Sequence, residues 1–210
     1  MTYGARVSLS VGLVSVSIIV SIALVLGSLS GYYGGWVDML IMRMTDVIMV
    51  FPGLMLVLIV VSLLGPSIFN VMAVIGLLGW PGPTRLVRGQ ILSVWELDHV
   101  MAARCIGVRD RLIMFRHVLP NAVAPLIVSA TFGVAGAILT EAGLSFLGLG
   151  VVPPQPSWGN MLTGAQSLTT LERHPWLWVP PGMAILLTVL AINFLGDGLR
   201  DALDPRMSLV

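Results

Sequence analysis

Long uncharged stretches alternate with short polar breaks along this chain. The uncharged runs extend from Val7 to Leu29, Val47 to Leu64, Ile68 to Thr84, Val118 to Thr140 and Pro175 to Gly196. Roughly 20 apolar residues of α-helix cross a bilayer core about 30 Å thick, so each run is of spanning length. The runs are continuous rather than alternating in polarity, which selects helices over a membrane β-barrel. Turn formers separate them: Gly31 with Gly34 and Gly35, then Gly65-Pro66-Ser67, then a polar stretch up to His117, then a proline-rich segment from Val151. The pattern predicts an all-α membrane protein, a polytopic bundle of about five transmembrane helices forming a single domain over residues 1–210.

Composition agrees and adds an exclusion. Of 210 residues, 57% are hydrophobic and 10% charged, whereas a soluble domain is about a quarter charged. All 11 basic residues are arginine. Without lysine the chain has no GxxxxGK[ST] phosphate loop, so it cannot be a P-loop ATPase by itself. The single cysteine, Cys105, allows no internal disulfide and sits in the most arginine-rich segment.

Arginine placement also predicts orientation. Putting the loops after the first, third and fifth runs on one side gathers Arg43, Arg85, Arg88, Arg104, Arg109, Arg111, Arg116, Arg200 and Arg206 there. Only Arg6 and Arg173 remain on the other. Short cytoplasmic loops carry the basic excess, so the central loop and the C-terminus are expected inside. An odd number of spans then puts Met1 outside with no recognisable signal peptide. A further helix ahead of Met1, six in the complete protein, is the expectation that follows.

The polar insertion from Glu96 to Asn121 reads ELDHVMAARCIGVRDRLIMFRHVLPN. It predicts a helix over Glu96 to Ile106, a left-handed helix end at Gly107, a second short helix, and a new span starting at Leu119-Pro120. Ala102 and Ala103 keep one face slim, so another protein's backbone can come close. The surrounding arginines, Arg104, Arg109 and Arg116 among them, can pair with acidic groups on such a partner.

This segment resembles the EAA loop of bacterial ABC-importer permeases, which reads Glu-Ala-Ala, three residues, Gly, nine residues, then Ile-x-Leu-Pro. Ala102, Ala103, Gly107, Leu119 and Pro120 fall in register, while Met101 replaces the acid and His117 the isoleucine. GYYGGWVDMLIMRMTDVIMVFP from Gly31, SFLGLGVVPPQPSWGNML from Ser145 and PWLWVPPGMAILLTVLAINFLGDGLRDALDPR from Pro175 look like the dipeptide/oligopeptide/nickel permease subfamily. The PSWGN segment is similar to that of the second permease in a heterodimer.

The resemblance implies a type I ABC importer permease fold in the bacterial inner membrane, importing short peptides by alternating access, with nickel chelates or glutathione-like solutes as alternatives. It implies a homologous second permease, two ATP-binding subunits and an extracytoplasmic solute-binding protein as partners, with no nucleic acid. ATP and Mg would reside on the ATPase subunits, and no cofactor on this chain. The coupling loop, about 93–121, would seat in a groove of the ATPase through Met101, Ala102, Ala103, Arg104, Gly107, Arg109, Arg116, His117, Leu119 and Pro120.

On the outer side Pro153, Pro154, Pro156, Ser157, Trp158, Gly159 and Asn160 predict a stiff loop that meets the binding protein or caps the path. Trp158, Trp176 and Trp178 equally fit interfacial anchors. Glu141 is the one acid bordering the core of the fourth run, expected near the outer interface or, alternatively, on the translocation path. Asp46, Arg85, Arg88 and Asp197 are expected at inner ends, snorkelling or paired, and Asn193 in a helix-helix hydrogen bond. Gly133 with Ala137, and Gly136 with Thr140, have spacings that let helices pack closely. Pro52, Pro81 and Pro83 should break or kink their helices and face the bundle interior. Two rival classes fit less well. An intramembrane enzyme lacks a site, since His99, His117 and His174 lie in loops and the segment from Gly143 to Gly148 misses the GxSxG spacing. An ion-coupled secondary transporter normally shows mid-membrane acids and paired repeats.

Overall fold

A computed structural model of the chain describes residues 1–151 and 154–203, except for the side chain of His117. Pro153 and Arg206 therefore lie outside the described residues. All five apolar runs are helical, and two of them are split. The first run is α1 (Thr2–Tyr33). The second is shared between α2 (Gly35–Val50) and α3 (Gly53–Leu64), which meet at 85°. Pro52 causes the break: it removes a backbone donor and forces the residue before it, Phe51, into an extended conformation (ψ 139°). The third run is shared between α4 (Ile68–Leu78) and α5 (Pro81–Trp95). Here Pro81 and Pro83 occupy the first turn of α5, where a missing N–H costs no helical bond, so they start a helix rather than kink one.

The remaining helices are α6 (Asp98–Cys105), α7 (Asp110–Ile113), α8 (Leu119–Phe146), α9 (Trp158–Met161), α10 (Leu168–Arg173) and α11 (Pro175–Leu203). Among the described residues three helical stretches are long and apolar enough to cross a membrane: Thr2–Tyr33, Asp110–Phe146 and Pro175–Leu203. The bent α2–α3 pair passes the same length and polarity test only when its two halves are taken together, as one broken span or a re-entrant loop. At 1.5 Å per residue α4 rises only about 16 Å, half of a bilayer core, so the third run does not cross as one helix. The turn between α3 and α4 follows the sequence expectation: Gly65 is left-handed (φ 87°) and Asn70 Nδ2 donates to the carbonyls of Leu64 (3.1 Å) and Gly65 (2.9 Å), capping α3.

Helix α1 is the axis of the bundle, in contact with α4, α5 and α8. Small residues make this possible. Gly4, Ser8, Gly12, Ser15, Ala23, Gly27 and Gly31 are buried along it. A Cβ on Gly27 would stand 2.7 Å from Val87 Cβ, and one on Gly31 2.6 Å from Ile91 Cγ2. The backbones of α1 and α5 therefore touch, which in lipid, where apolar surface alone gives no association, maximises dispersion contact. The apolar core that results runs from Ala23 through Val87, Ile91 and Val94 to Val100, Ile113 and Val118 in the polar insertion.

Gly31→Val should lower the unfolding temperature of the purified membrane complex, because overpacking here costs about 1–3 kcal/mol or more. Gly89→Ala on the same α5, which meets nothing within 4 Å, should leave it unchanged or raise it.

Candidate functional site

The polar insertion folds as the sequence predicts at its centre and differently at its ends. Helix α6 begins at Asp98 rather than Glu96, because Leu97 is extended (ψ 140°) and caps it. It ends at Gly107 (φ 81°), where the Val108 N–H donates to the Ala103 carbonyl (3.1 Å) and the Gly107 N–H to that of Arg104 (2.9 Å). This doubly closed helix end requires a left-handed residue, which a side chain at 107 would oppose by about 1–2 kcal/mol. Helix α7 does not stop before the next span. It continues through a π-helical turn, Met114–Val118, into α8, so Asp110–Phe146 is unbroken. The widened turn absorbs Pro120, which has no N–H to give to an α-helical bond.

Val100, Ile113, Met114 and Val118 are buried in the α5/α8 core, so the insertion is fastened to the bundle rather than hung from it. Arg104 contributes as well. Its guanidinium lies 4.1 Å from the Trp95 ring centroid and 3.3 Å from the Asp110 carboxylate. A cation–π contact and an ion pair within the loop therefore already engage Arg104, whose side chain stays 47% exposed. Outward, the loop presents apolar side chains among its arginines. Met101, Ile106, Leu112 and Phe115 are 48%, 81%, 53% and 68% exposed. Ala102, Gly107, Arg109, Arg116 and Pro120 are exposed too, and Ala103 and Leu119 half-buried.

A cavity of about 490 Å³ opens beside the α2–α3 elbow. Its walls include Met49 and Phe51 from the elbow, Pro81 from the start of α5, and Gly133, Gly136 and Thr140 from α8. No charged side chain is among its described lining residues. All four residues of the two small-residue pairs of α8 border this cavity, and the first pair also packs on α1. Gly133 and Ala137 turn toward α1, where a Cβ on Gly133 would touch Val16 at 3.4 Å, whereas Gly136 has nothing within 4 Å. Pro52 itself is exposed in the single chain, but the segment it breaks faces this cavity through Phe51 and Gly53 on either side of it, and Pro81 lines it too.

At the far end of α8 Glu141 is fully buried, not on the cavity wall. Its carboxyl group accepts hydrogen bonds from Ser8 of α1 (3.0 Å) and Ser145 (2.7 Å). Each of these hydroxyls accepts in turn from backbone, Ser8 from the Trp158 N–H (3.2 Å) and Ser145 from the Val151 N–H (3.0 Å). Ser157 caps α9 by accepting from the Asn160 N–H (3.0 Å), and Gly159 sits so close that a Cβ would be 2.5 Å from Ala142 Cα. Trp158 is 6% exposed, so it is a packed wedge rather than an interfacial anchor. Trp176 is exposed, consistent with anchoring, whereas Trp178 is half-buried and its indole N–H donates to the Leu171 carbonyl (3.3 Å). Pro154 and Pro156 lie on the adjoining turn, Pro154 exposed.

Arg85 and Arg88 pair with Asp46 and Asp38 of α2. Asp197 is exposed, and the interhelical bond expected of Asn193 is not made among the described residues. Sequence reading missed the Ala23-Gly27-Gly31 stripe, although its four-residue spacing was visible, and Asp38, whose partner lies 50 residues away.

An all-helical bundle with short broken helices around a cavity and one anchored polar insertion is the architecture of an ABC importer permease. In fold it matches the inward-facing MetNI methionine ABC transporter, with TM-score 0.74 over 97% of this chain and 96% of that one at 18% identity. The chain belongs to the family described as binding-protein-dependent transport system inner membrane component, which matches residues 23–209. It is 44% identical over 207 residues to the dipeptide transport system permease protein DppC of Alkalihalophilus pseudofirmus, covering 99% of this chain and 67% of that protein. It is 45% identical over 204 residues to the glutathione transport system permease protein GsiD of Pectobacterium atrosepticum, covering 97% and 67%.

Ser8→Ala removes a donor from a buried carboxyl oxygen and should cost about 1–3 kcal/mol, read as a lowered unfolding temperature. Ser10→Ala, whose hydroxyl bonds only the Val7 carbonyl within α1, should change it by no more than about 0.5 kcal/mol.

Proposed function

We propose that this chain is a translocation subunit of a bacterial ATP-binding-cassette importer of short peptides, with the insertion around α6 and α7 as the lever gripped by an ATPase subunit. The observation that carries the reading is the loop's two-sidedness. One side is fixed to α5 and α8 by buried Val100, Ile113 and Val118. The other presents Ile106, Leu112 and Phe115 to solvent, where unpartnered apolar side chains at the tip of a rigid element suit a protein groove. Force applied at Ile106 would pass into α5 and α8 without first deforming the loop.

In this reading the loop and C-terminus face the cytoplasm, and a sister permease completes the path across the cavity. Met101, Ala102, Ala103, Gly107, Arg109, Arg116, His117, Leu119 and Pro120 form or support the docking face. ATP and Mg are held by the partner subunits, and this chain carries out translocation without a catalytic site of its own. Closure of the ATPases on ATP draws the levers together, and the bundle alternates between outward and inward openings around a path that binds solute weakly. An uncharged cavity wall favours that role, since a peptide must leave as readily as it enters and its own charges vary. The turn at Pro154, Pro156 and α9 is the surface offered to a solute-binding protein outside. Peptide import is the substrate class the DppC resemblance supports. Glutathione, itself a tripeptide, is the variant the GsiD resemblance supports.

The complex purified from native membranes should contain a sister permease and P-loop ATPase subunits, and should take up dipeptide only with ATP. Uptake driven by an ion gradient without ATP would overturn the proposal. Within that complex Gly107→Val should lower solute moved per ATP hydrolysed about tenfold while the ATPases remain bound. An unchanged ratio would remove Gly107 from the lever.

A further inference from the structure

Helix α2 is attached to the bundle in an unusual way for an apolar protein. Only Ile41 and Thr45 among its residues are buried, and Trp36, Leu40, Val47 and Val50 are largely exposed. What fastens it is ionic. Arg88 of α5 grips Asp38 with both arms of its guanidinium, Nε to Oδ1 at 2.5 Å and Nη2 to Oδ2 at 2.6 Å. Ser30 at the end of α1 donates to the same carboxylate at 2.5 Å. Two turns further along α2, Arg85 pairs with Asp46 and donates to Thr45 Oγ1 at 3.3 Å, while Arg43 lies 3.5 Å from Asp46. The Arg88 and Asp38 side chains are 31% and 21% exposed, against 43% and 45% for the second pair, so the first is the better shielded. A two-armed pair with a third hydrogen bond and partial shielding is the geometry in which an ion pair holds position, whereas a single exposed pair contributes little.

The place of this clasp matters more than its strength. Helix α5 leads through two residues into α6. Its other end, at Pro81 and Gly82, lines the 490 Å³ cavity, and so do Ile48, Met49 and Phe51 where α2 reaches the elbow. One helix therefore joins the docking loop to the cavity, and its two arginines hold the helix that carries the opposite lip. Earlier and later residues pair crosswise, Asp38 with Arg88 and Asp46 with Arg85, so α2 and α5 run antiparallel and two separated clamps prevent rotation about either one.

We infer that Asp38–Arg88 and Asp46–Arg85 are the transmission of the transport cycle: they oblige α2 and the Phe51–Pro52 elbow to move with α5 when the ATPase displaces α6. These are positioning residues: none of the four is among the described lining of the cavity. The inference rests on the docking role of α6 proposed above and adds the route by which that movement reaches the path.

The single native cysteine allows a direct test. In the complete complex in lipid nanodiscs, with Cys105→Ser and Thr140→Cys in this chain, a maleimide dye reports access to the cavity before and after trapping with ATP and vanadate. With the clasp intact, trapping should change the labelling rate of position 140. Arg88→Gln or Asp38→Asn should shrink that change about tenfold while ATP hydrolysis continues, and the exchange Asp38→Arg with Arg88→Asp should restore it. A role in stability alone would lower the yield of complex without altering the response per assembled complex. The inference is overturned if single variants respond as the parent does, or if the exchange variant assembles and stays silent. Should the single variants fail to assemble, the exchange variant decides: recovered assembly and response support the clasp, and failure of either overturns it. If ATPases do not co-purify with the parent, or trapping leaves parental labelling unchanged, the docking reading itself has failed.

Discussion

The near-contact of α1 and α5 backbones is the constraint on which the rest of this structure depends. Gly27 and Gly31 leave no room for a side chain against Val87 and Ile91. Because α5 is held there along its length, the residues before it can line a cavity and those after it can form an anchored loop. Bulkier residues on α1 would push α5 outward, and the core joining Val94 to Val100 and Ile113 would come apart with it. Apolar surface gives helices in lipid no reason to associate, so close approach and specific polar contacts must supply the order.

Polar contacts divide between the two ends of the bundle. At one end Glu141 collects the hydroxyls of Ser8 and Ser145, and through them the backbone at Trp158 and Val151. That hub ties the first and last turns of α1 and α8 to the turn around α9. At the other end the arginines of α5 hold α2, and Arg104 braces α6 against Trp95 and Asp110. Between them lies an uncharged cavity beside a proline-broken helix. Its walls include the short helices α3 and α4, joined to each other by the Gly65 turn and to α2 by the 85° elbow.

The helical class, the split between apolar runs and polar insertion, and the helix end at Gly107 were legible in the sequence because each rests on local chemistry. Run length reports a span, and a glycine after an alanine-rich turn reports a left-handed cap. The bent second run was half legible: Pro52 announced a break, but whether a broken helix stays collinear depends on packing that no local pattern records. The extent of α7 was hidden for a similar reason, since Leu119-Pro120 looks like a helix start and only the π turn shows continuity. Trp158 looked like an interfacial aromatic because its burial is imposed by α1 and α8, which approach it from 150 and 16 residues away in sequence. The pairing of Arg104 within the loop was hidden because its partners, Trp95 and Asp110, meet only once the loop has folded.

The account turns on Ile106, four-fifths exposed at the tip of the loop, being covered by a nucleotide-driven subunit in the native membrane. A photo-reactive amino acid placed at 106 and activated in intact cells tests this most directly. The account predicts an adduct with a P-loop ATPase subunit whose yield changes when ATP hydrolysis is trapped. Adducts with lipid alone, or quenching of the probe by a reagent confined outside the cell, would contradict it.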